Sequence, residues 1–180
     1  YLMTPPLREK GDNESLWKGI EAGDIETIAT DHCTFTPKQK FSSDDCRTIL
    51  PGVPGTEELL PLSYTYGVGE GHIDEKRLVY LLSECPAKTF GIYPRKGSLE
   101  VGTDADIVIF DPKKETTITD ESRHSAAGYS PYSGRKVRGL PVMTILRGKV
   151  IVRDGELNAE KGGGRFVEAG SSQLYTSTPV

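Results

Sequence analysis

Apolar positions in the first half of the chain recur at helical spacing. Leu16, Trp17 and Ile20 share one face of a helix that Asp12 or Asn13 can cap and that Ala22-Gly23 ends. Residues 25–30 form a short β-prone run, predicted as a strand, so Asp31 falls at its C-terminal end. Residues 34–55 are rich in Asp, Ser, Pro and Gly and read as a long loop. Loops beyond about 12–15 residues are usually functional or disordered. A helix is predicted from about Thr56, with Pro61 near its first turn, and Gly67, Gly69 and Gly71 end that segment. The clearest helix starts at Asp74, a good N-cap, where Ile73 and Leu78 fit a hydrophobic staple. Leu78, Leu81, Leu82 and Cys85 make its i, i+3, i+4, i+7 stripe. Pro86 can open a further short helix that Gly91 closes.

After Tyr93-Pro94 the pattern turns to strands. Residues 107–110, 115–119, 142–146 and 149–153 are β-like, and Asp154-Gly155 signals a hairpin. No helix is predicted after Gly91. The triple glycine 162–164 and the Ser/Thr-rich end from Ser171 read as a flexible tail. The fold class is therefore α/β, with an α/β part (1–93), an all-β part (94–158) and a tail (159–180). One strand cannot make a sheet, so the α/β part looks incomplete.

At 180 residues, with 36% apolar and 27% charged residues, the composition is that of a globular protein. No apolar run approaches the ~18 residues of a membrane helix, and no signal segment is present. The net charge of −4 divides unevenly: residues 1–90 hold 9 Lys/Arg against 15 Asp/Glu, and residues 91–180 hold 13 against 11. Neither half shows the basic, aromatic-interleaved stripe of a nucleic-acid binder. Cys33, Cys46 and Cys85 are too few and scattered for a disulfide framework, which suits reduced thiols in a cytosolic protein.

Asp31-His32 is the most informative pair. At a strand end, Asp31 reads in two ways: a loop carboxylate capping a turn, or a metal ligand that also takes a proton from bound water. His32, His72 and His124 show neither H-x-H nor H-E-x-x-H spacing, and His72 and His124 read as structural or solvent-exposed. Cys33 beside His32 could suggest a Cys–His couple, but neighbours on a strand end point apart. Gly67-x-Gly69-x-Gly71 is no dinucleotide fingerprint, the triple glycine lacks the Lys-Ser/Thr of a P-loop, and there is no G-x-S-x-G.

Six stretches carry a resemblance: Met-Thr-Pro-Pro-Leu-Arg-Glu-Lys (3–10), Ala-Thr-Asp-His-Cys-Thr-Phe (29–35), Ile-Leu-Pro-Gly-Val-Pro-Gly-Thr-Glu-Glu (49–58), Ala-Lys-Thr-Phe-Gly-Ile-Tyr-Pro-Arg-Lys-Gly (87–97), Val-Gly-Thr-Asp-Ala-Asp-Ile-Val-Ile-Phe-Asp-Pro (101–112) and Leu-Arg-Gly-Lys-Val-Ile-Val (146–152). In this order and spacing they resemble the C-terminal part of the cyclic amidohydrolases of the D-hydantoinase and dihydropyrimidinase group, over roughly residues 1–168. The resemblance implies the last strands and helices of a (β/α)8, TIM-type barrel, followed by the C-terminal part of a β-sandwich domain. It implies two divalent metals, usually zinc, bridged by hydroxide and a carboxylated lysine. Asp31 matches the family's Asp on the last barrel strand, a metal ligand and the base that carries the hydroxide proton to the leaving ring nitrogen. The cyclic amide then opens to an N-carbamoyl acid.

Thr4 stands where the family usually has a substrate-contacting Ser, and Pro51 where it usually has an Asn. The H-x-H, the lysine and two further histidines are not in these 180 residues. The chain opens on Tyr1, so the expectation is the end of a longer cytoplasmic enzyme, inactive as an isolated fragment. The resemblance also implies a homo-oligomer, dimer or tetramer, with a small cyclic amide as substrate and neither nucleic acid nor membrane as partner. Two other readings belong beside it: a non-catalytic dihydropyrimidinase-related scaffold, whose members lack the metal-binding Asp, and an allantoinase- or dihydroorotase-type enzyme.

Overall fold

A computed structural model describes residues 2–174. Helix α1 spans Lys10–Ala22 and ends at Gly23, whose φ of 85° is the left-handed turn that the Ala22-Gly23 signal anticipates. Its start differs from expectation. Glu9 is the N-cap, and Asp12 lies inside the first turn, where Oδ2 accepts the Glu9 N–H at 3.0 Å. Asp12 thus serves the helix start from the N3 position.

Residues 25–30 are extended but form no strand. A strand exists only through pairing, and this run has no ladder partner among the described residues. Its fixings are of other kinds. Ile25 and Ile28 pack into the core, the Ile28 N–H reaches the Leu81 carbonyl at 3.4 Å, and Arg77 Nη2 donates to the Ile20 and Ile25 carbonyls at 3.2 and 3.0 Å.

The long loop holds one helical turn, α2 (Pro37–Lys40), with Thr36 as N-cap and Pro37 in the first turn. Helix α3 (Leu59–Leu62) holds Pro61 near its start and runs into wide, π-helical turns over Ser63–Val68. Helix α4 (Glu75–Val79) begins as the sequence predicts, with Asp74 Oδ1 accepting the Arg77 N–H at 2.7 Å. It widens over Tyr80–Glu84 and continues as α5 (Cys85–Thr89). Pro86 explains the widening: it has no N–H for the Leu82 carbonyl, and its ring crowds the preceding turn. Ile20, Tyr64, Ile73, Leu78 and Leu81 form one buried cluster, with Trp17, Leu60, Leu82 and Phe110 against it. Both staple residues are therefore core residues.

After α5 no helix occurs among the described residues. Four antiparallel strands form a sheet in sequence order: β1 (Ile107–Thr117), β2 (Lys136–Leu146), β3 (Lys149–Arg153) and β4 (Glu156–Leu157). The two runs predicted at 107–110 and 115–119 are one strand. Between Asp111 and Glu115 its register shifts, around Pro112, which cannot donate to a ladder. β2 starts earlier than predicted because Gly139 and Pro141 look like breaks yet sit within the strand, Pro141 at the other register shift. The hairpin at Asp154-Gly155 forms, with φ of 49° and 86° and Arg153 opposite Glu156. Arg147-Gly148 makes a second such turn, with φ of 47° and 79°.

Gly139 has a packing reason. With φ at +81°, its Cβ position would lie 2.4 Å from Tyr64 Cδ1 and 2.5 Å from Phe110 Cζ. The sheet meets the helical core at this glycine. Gly139→Ala is expected to destabilise the protein by about 2–4 kcal/mol, combining left-handed strain with overpacking. Denaturant unfolding checks this, and an unchanged midpoint contradicts it.

An ion cluster ties the 95–97 turn to the sheet. Lys96 Nζ reaches Asp104 at 2.8 Å and also bonds Asp106, while Arg95 reaches Asp104 at 3.1 Å. The Lys96 hydrogen bond, helped by Arg95, holds the Asp104 carboxyl below the ordinary carboxylate range. Burial pushes Asp106 the other way, but Lys96 and the Arg147 N–H outweigh it and hold that carboxyl low as well.

The tail is not free where it is described. Gly170 N–H donates to the Gly91 carbonyl at 2.8 Å and Gln173 N–H to the Lys88 carbonyl at 3.0 Å, which lays residues 170–173 along the end of α5. The remainder of the predicted flexible end, from Tyr175, lies outside the described residues. Among the described residues no helix is long and apolar enough to cross a membrane.

Candidate active site

The extended run 25–30 delivers Asp31 to an exposed position. Asp31 takes a φ of 45°, in the left-handed region that Asp tolerates better than most residues. Its carboxylate has no hydrogen-bond partner among the described residues. An acidic side chain that caps a turn would accept a nearby N–H, so the turn-capping reading loses its main support.

His32 locks the next loop in place. Its Nδ1 accepts the N–H groups of Gly55 and Thr56 at 3.1 and 3.3 Å. The ring proton therefore sits on Nε2, which faces Thr34 Oγ1 at 2.7 Å. Cys33 N–H donates to the Val53 carbonyl at 3.3 Å. Gly52 lies so close that a Cβ there would stand 2.3 Å from the Cys33 carbonyl oxygen. Residues 52–56 are thus pressed against 32–34. The His32 ring is committed to this loop, Cys33 contributes its backbone, and the two side chains form no hydrogen bond among the described residues.

The acidic pair that follows reaches the sheet side. Glu58 is 3% exposed, and its Oε1 accepts the Ser130 hydroxyl at 2.8 Å. Glu57 accepts from the His124 backbone N–H at 2.9 Å and contacts its Nδ1 at 2.8 Å. Arg123 Nη1 approaches Glu57 at 3.3 Å and Glu58 at 3.9 Å. Burial, with the Glu58 carboxylate adding to it, pushes the Tyr132 hydroxyl up. His72 is structural: it stacks on Trp17 at 4.8 Å, with Nδ1 3.2 Å from Glu21.

Thr4 and Pro51 are both exposed, and neither the Thr4 hydroxyl nor the Pro51 carbonyl has a partner among the described residues. Lys40 brings their segments together. Its Nζ donates to the Leu2 carbonyl at 2.8 Å, the Leu50 carbonyl at 3.1 Å and the Gly52 carbonyl at 2.7 Å. Sequence reasoning missed this residue, because Lys40 sits in a Pro-Lys-Gln-Lys stretch that reads as a solvated turn. It missed Glu58 for the same reason: adjacent acids look like surface, and only the Gly-Thr-Glu-Glu resemblance marked them.

A broad groove of about 1100 Å³ runs elsewhere, between α1 and the extended run, lined by Trp17, Ile20, Ile28, Tyr66 and Arg135. It touches none of Asp31, Thr4 and Pro51. Its lining mixes these apolar side chains with charged ones, Lys10, Glu14 and Glu70 among them.

Among the described residues, no three His, Cys, Asp or Glu side chains gather as a metal site. Asp31 fits as one oxygen ligand, because it is exposed and its carboxylate bears no competing bond among the described residues. The other donors of a two-metal centre would have to come from other residues.

The description "Amidohydrolase family" matches residues 7–151. A D-hydantoinase of Ralstonia pickettii is 43% identical over 170 residues, covering 93% of this chain and 37% of that protein. Among solved structures, a D-hydantoinase (dihydropyrimidinase) from Thermus sp. superposes with a TM-score of 0.92 at 40% identity, covering 96% of this chain and 38% of the other. A dihydropyrimidinase from Brevibacillus agri gives 0.92 at 36% identity, with the same coverages. The chain spans little more than a third of the length of these relatives. Their likeness implies a TIM-barrel-type enzyme, and the matched stretch takes in the Asp31 turn, the Lys40 loop and most of the sheet. The chain belongs to the amidohydrolase family.

Proposed function

We propose that this chain is the C-terminal portion of a metal-dependent hydrolase that opens cyclic amides, hydantoins or dihydropyrimidines, to N-carbamoyl amino acids. Residues 1–93 would be the end of its barrel, 94–158 its share of a β-sandwich and 159–180 the tail. The observation that carries the reading is Asp31: an exposed, unbonded carboxylate at the end of an extended run, held in a left-handed turn, in a chain about 40% identical to hydantoinases. The surface supports the incompleteness. The accessible area is 12590 Å², whereas a compact protein of this mass exposes about 8600 Å². The unpaired run and the apolar groove are faces that further barrel strands would cover.

In this reading Asp31 holds one of two divalent metals, zinc by family resemblance, the other ligands, including a carboxylated lysine, lying outside this chain. When bound, the metals supply Lewis-acid polarisation of the ring carbonyl and activation of a water. Asp31 takes the proton of the attacking water and gives it to the ring nitrogen as the C–N bond breaks. The Thr4 and Pro51 segments face the amide edge of the ring. Pro51 offers a carbonyl acceptor but no N–H donor. The full-length protein would be a homo-oligomer, and the isolated fragment would be inactive.

The test is a panel of hydantoin, dihydrouracil, allantoin and dihydroorotate, incubated with the full-length protein and zinc. Opening of hydantoin or dihydrouracil is expected. Turnover of only allantoin or dihydroorotate would move the assignment to that branch, and no turnover of any ring would favour a scaffold.

A further inference from the structure

We propose that Lys40 is a positioning residue that builds the substrate-facing edge of the site, by clamping the Leu2–Thr4 segment to the Leu50–Gly52 loop. The inference rests on the hydrolase reading above for what the edge binds, but the clamp itself is visible in the geometry.

Lys40 is only 9% exposed, in a loop where most neighbours are open to solvent. An ammonium has three donors and no acceptor. Here the three carbonyls of Leu2, Leu50 and Gly52, at 2.7–3.1 Å, take all three. They lie 38, 10 and 12 residues away in sequence, so one charge on the α2 turn joins two other segments, at Leu2 and at Leu50–Gly52. A buried ammonium is costly unless fully bonded, so the three carbonyls are held where they are.

The choice of carbonyls matters. Leu50 and Gly52 flank Pro51. With both neighbours turned inward to Lys40, the Pro51 carbonyl is left as the uncommitted acceptor of the turn. On the other side, capture of the Leu2 carbonyl fixes the chain two residues before Thr4, whose hydroxyl is also uncommitted. Lys40 touches no substrate. It sets the separation and direction of two free polar groups, one from each segment, that can read the N–H and C=O edge of a planar amide ring. The α2 turn holds the lysine itself: Gln39 N–H donates to Thr36 Oγ1 at 3.3 Å, and Lys40 N–H to the Thr36 carbonyl at 3.0 Å.

The experiment compares wild-type and Lys40→Met full-length protein by steady-state kinetics on hydantoin and dihydrouracil, and by hydrogen exchange. KM is expected to rise by about 10–100-fold, because charge-assisted bonds to three carbonyls are lost, while kcat stays within about threefold. Lys40→Arg, which keeps donors, is expected to recover part of the KM. Amides of residues 2–4, 49, 50, 52 and 53 should exchange faster in Lys40→Met, with the amides within 75–89 unchanged. A loss confined to kcat, or an unchanged KM, overturns the proposal. If wild type opens no ring, the hydrolase reading fails on its own, and exchange still judges the clamp: equal exchange in both segments overturns it. Should Lys40→Met also lose protection in residues 75–89, Lys40→Gln carries the same comparison under the same criteria.

Discussion

Asp31→Ala in the full-length protein is expected to lower the turnover of cyclic amides by about 10³-fold or more, since the proposed function asks one side chain to serve as metal ligand and as proton carrier. Stability should change little. The carboxylate makes no hydrogen bond among the described residues, and placing Ala at a φ of 45° costs about 1 kcal/mol. Asp31→Asn removes even that cost, because Asn tolerates the left-handed region, yet it cannot carry the proton. The two variants should therefore be equally slow while differing slightly in melting temperature. Steady-state rates and thermal unfolding check the pair, and a fully active Ala variant would refute the role given to Asp31.

Gly52→Ala should impair both stability and activity, by an unrelated route. A methyl group at Gly52 would stand 2.3 Å from the Cys33 carbonyl oxygen and 3.0 Å from both Cys33 Cβ and Phe35 Cε2. Backbone cannot step aside as a flexible side chain can, so the 49–53 loop must lift from the 32–34 segment. That movement breaks the Cys33–Val53 hydrogen bond and drags the Gly52 carbonyl from Lys40. A destabilisation of about 1–3 kcal/mol is expected, with kcat/KM down by at least tenfold, since two sides of the site lose their register. Melting temperature and kinetics together test this. A variant with wild-type kcat/KM would show that the close approach at Gly52 does not shape the site.

How much of this was legible depended on the range of the interactions. The Asp74 cap, the Ile73–Leu78 staple and the Leu78-Leu81-Cys85 stripe lie within a dozen residues, and the structure reproduces all three. The hairpin at Asp154-Gly155 was equally local. Residues 25–30 read as a strand in sequence but form none here, because β propensity says nothing about whether a partner lies alongside. β1 was split and β2 shortened because Pro112, Gly139 and Pro141 signal breaks, whereas register shifts and the Tyr64–Phe110 contact absorb them. In the site, strand-end position made Asp31 a candidate, and family resemblance gave it a role. Lys40 had no such signal: its meaning lies in three carbonyls remote in sequence. Glu58 likewise takes its burial from Ser130 and Arg123, both remote in sequence.

In the proposed function Asp31 is a metal ligand in a site completed by residues outside this chain. Metal analysis of the purified full-length protein tests that most directly, by elemental quantification per chain in wild type and Asp31→Ala. Two divalent metals per wild-type chain, with at least one lost from Asp31→Ala while the fold is retained, is the predicted result. A folded wild-type protein without bound metal, or an Ala variant that keeps both metals at full occupancy, would contradict it.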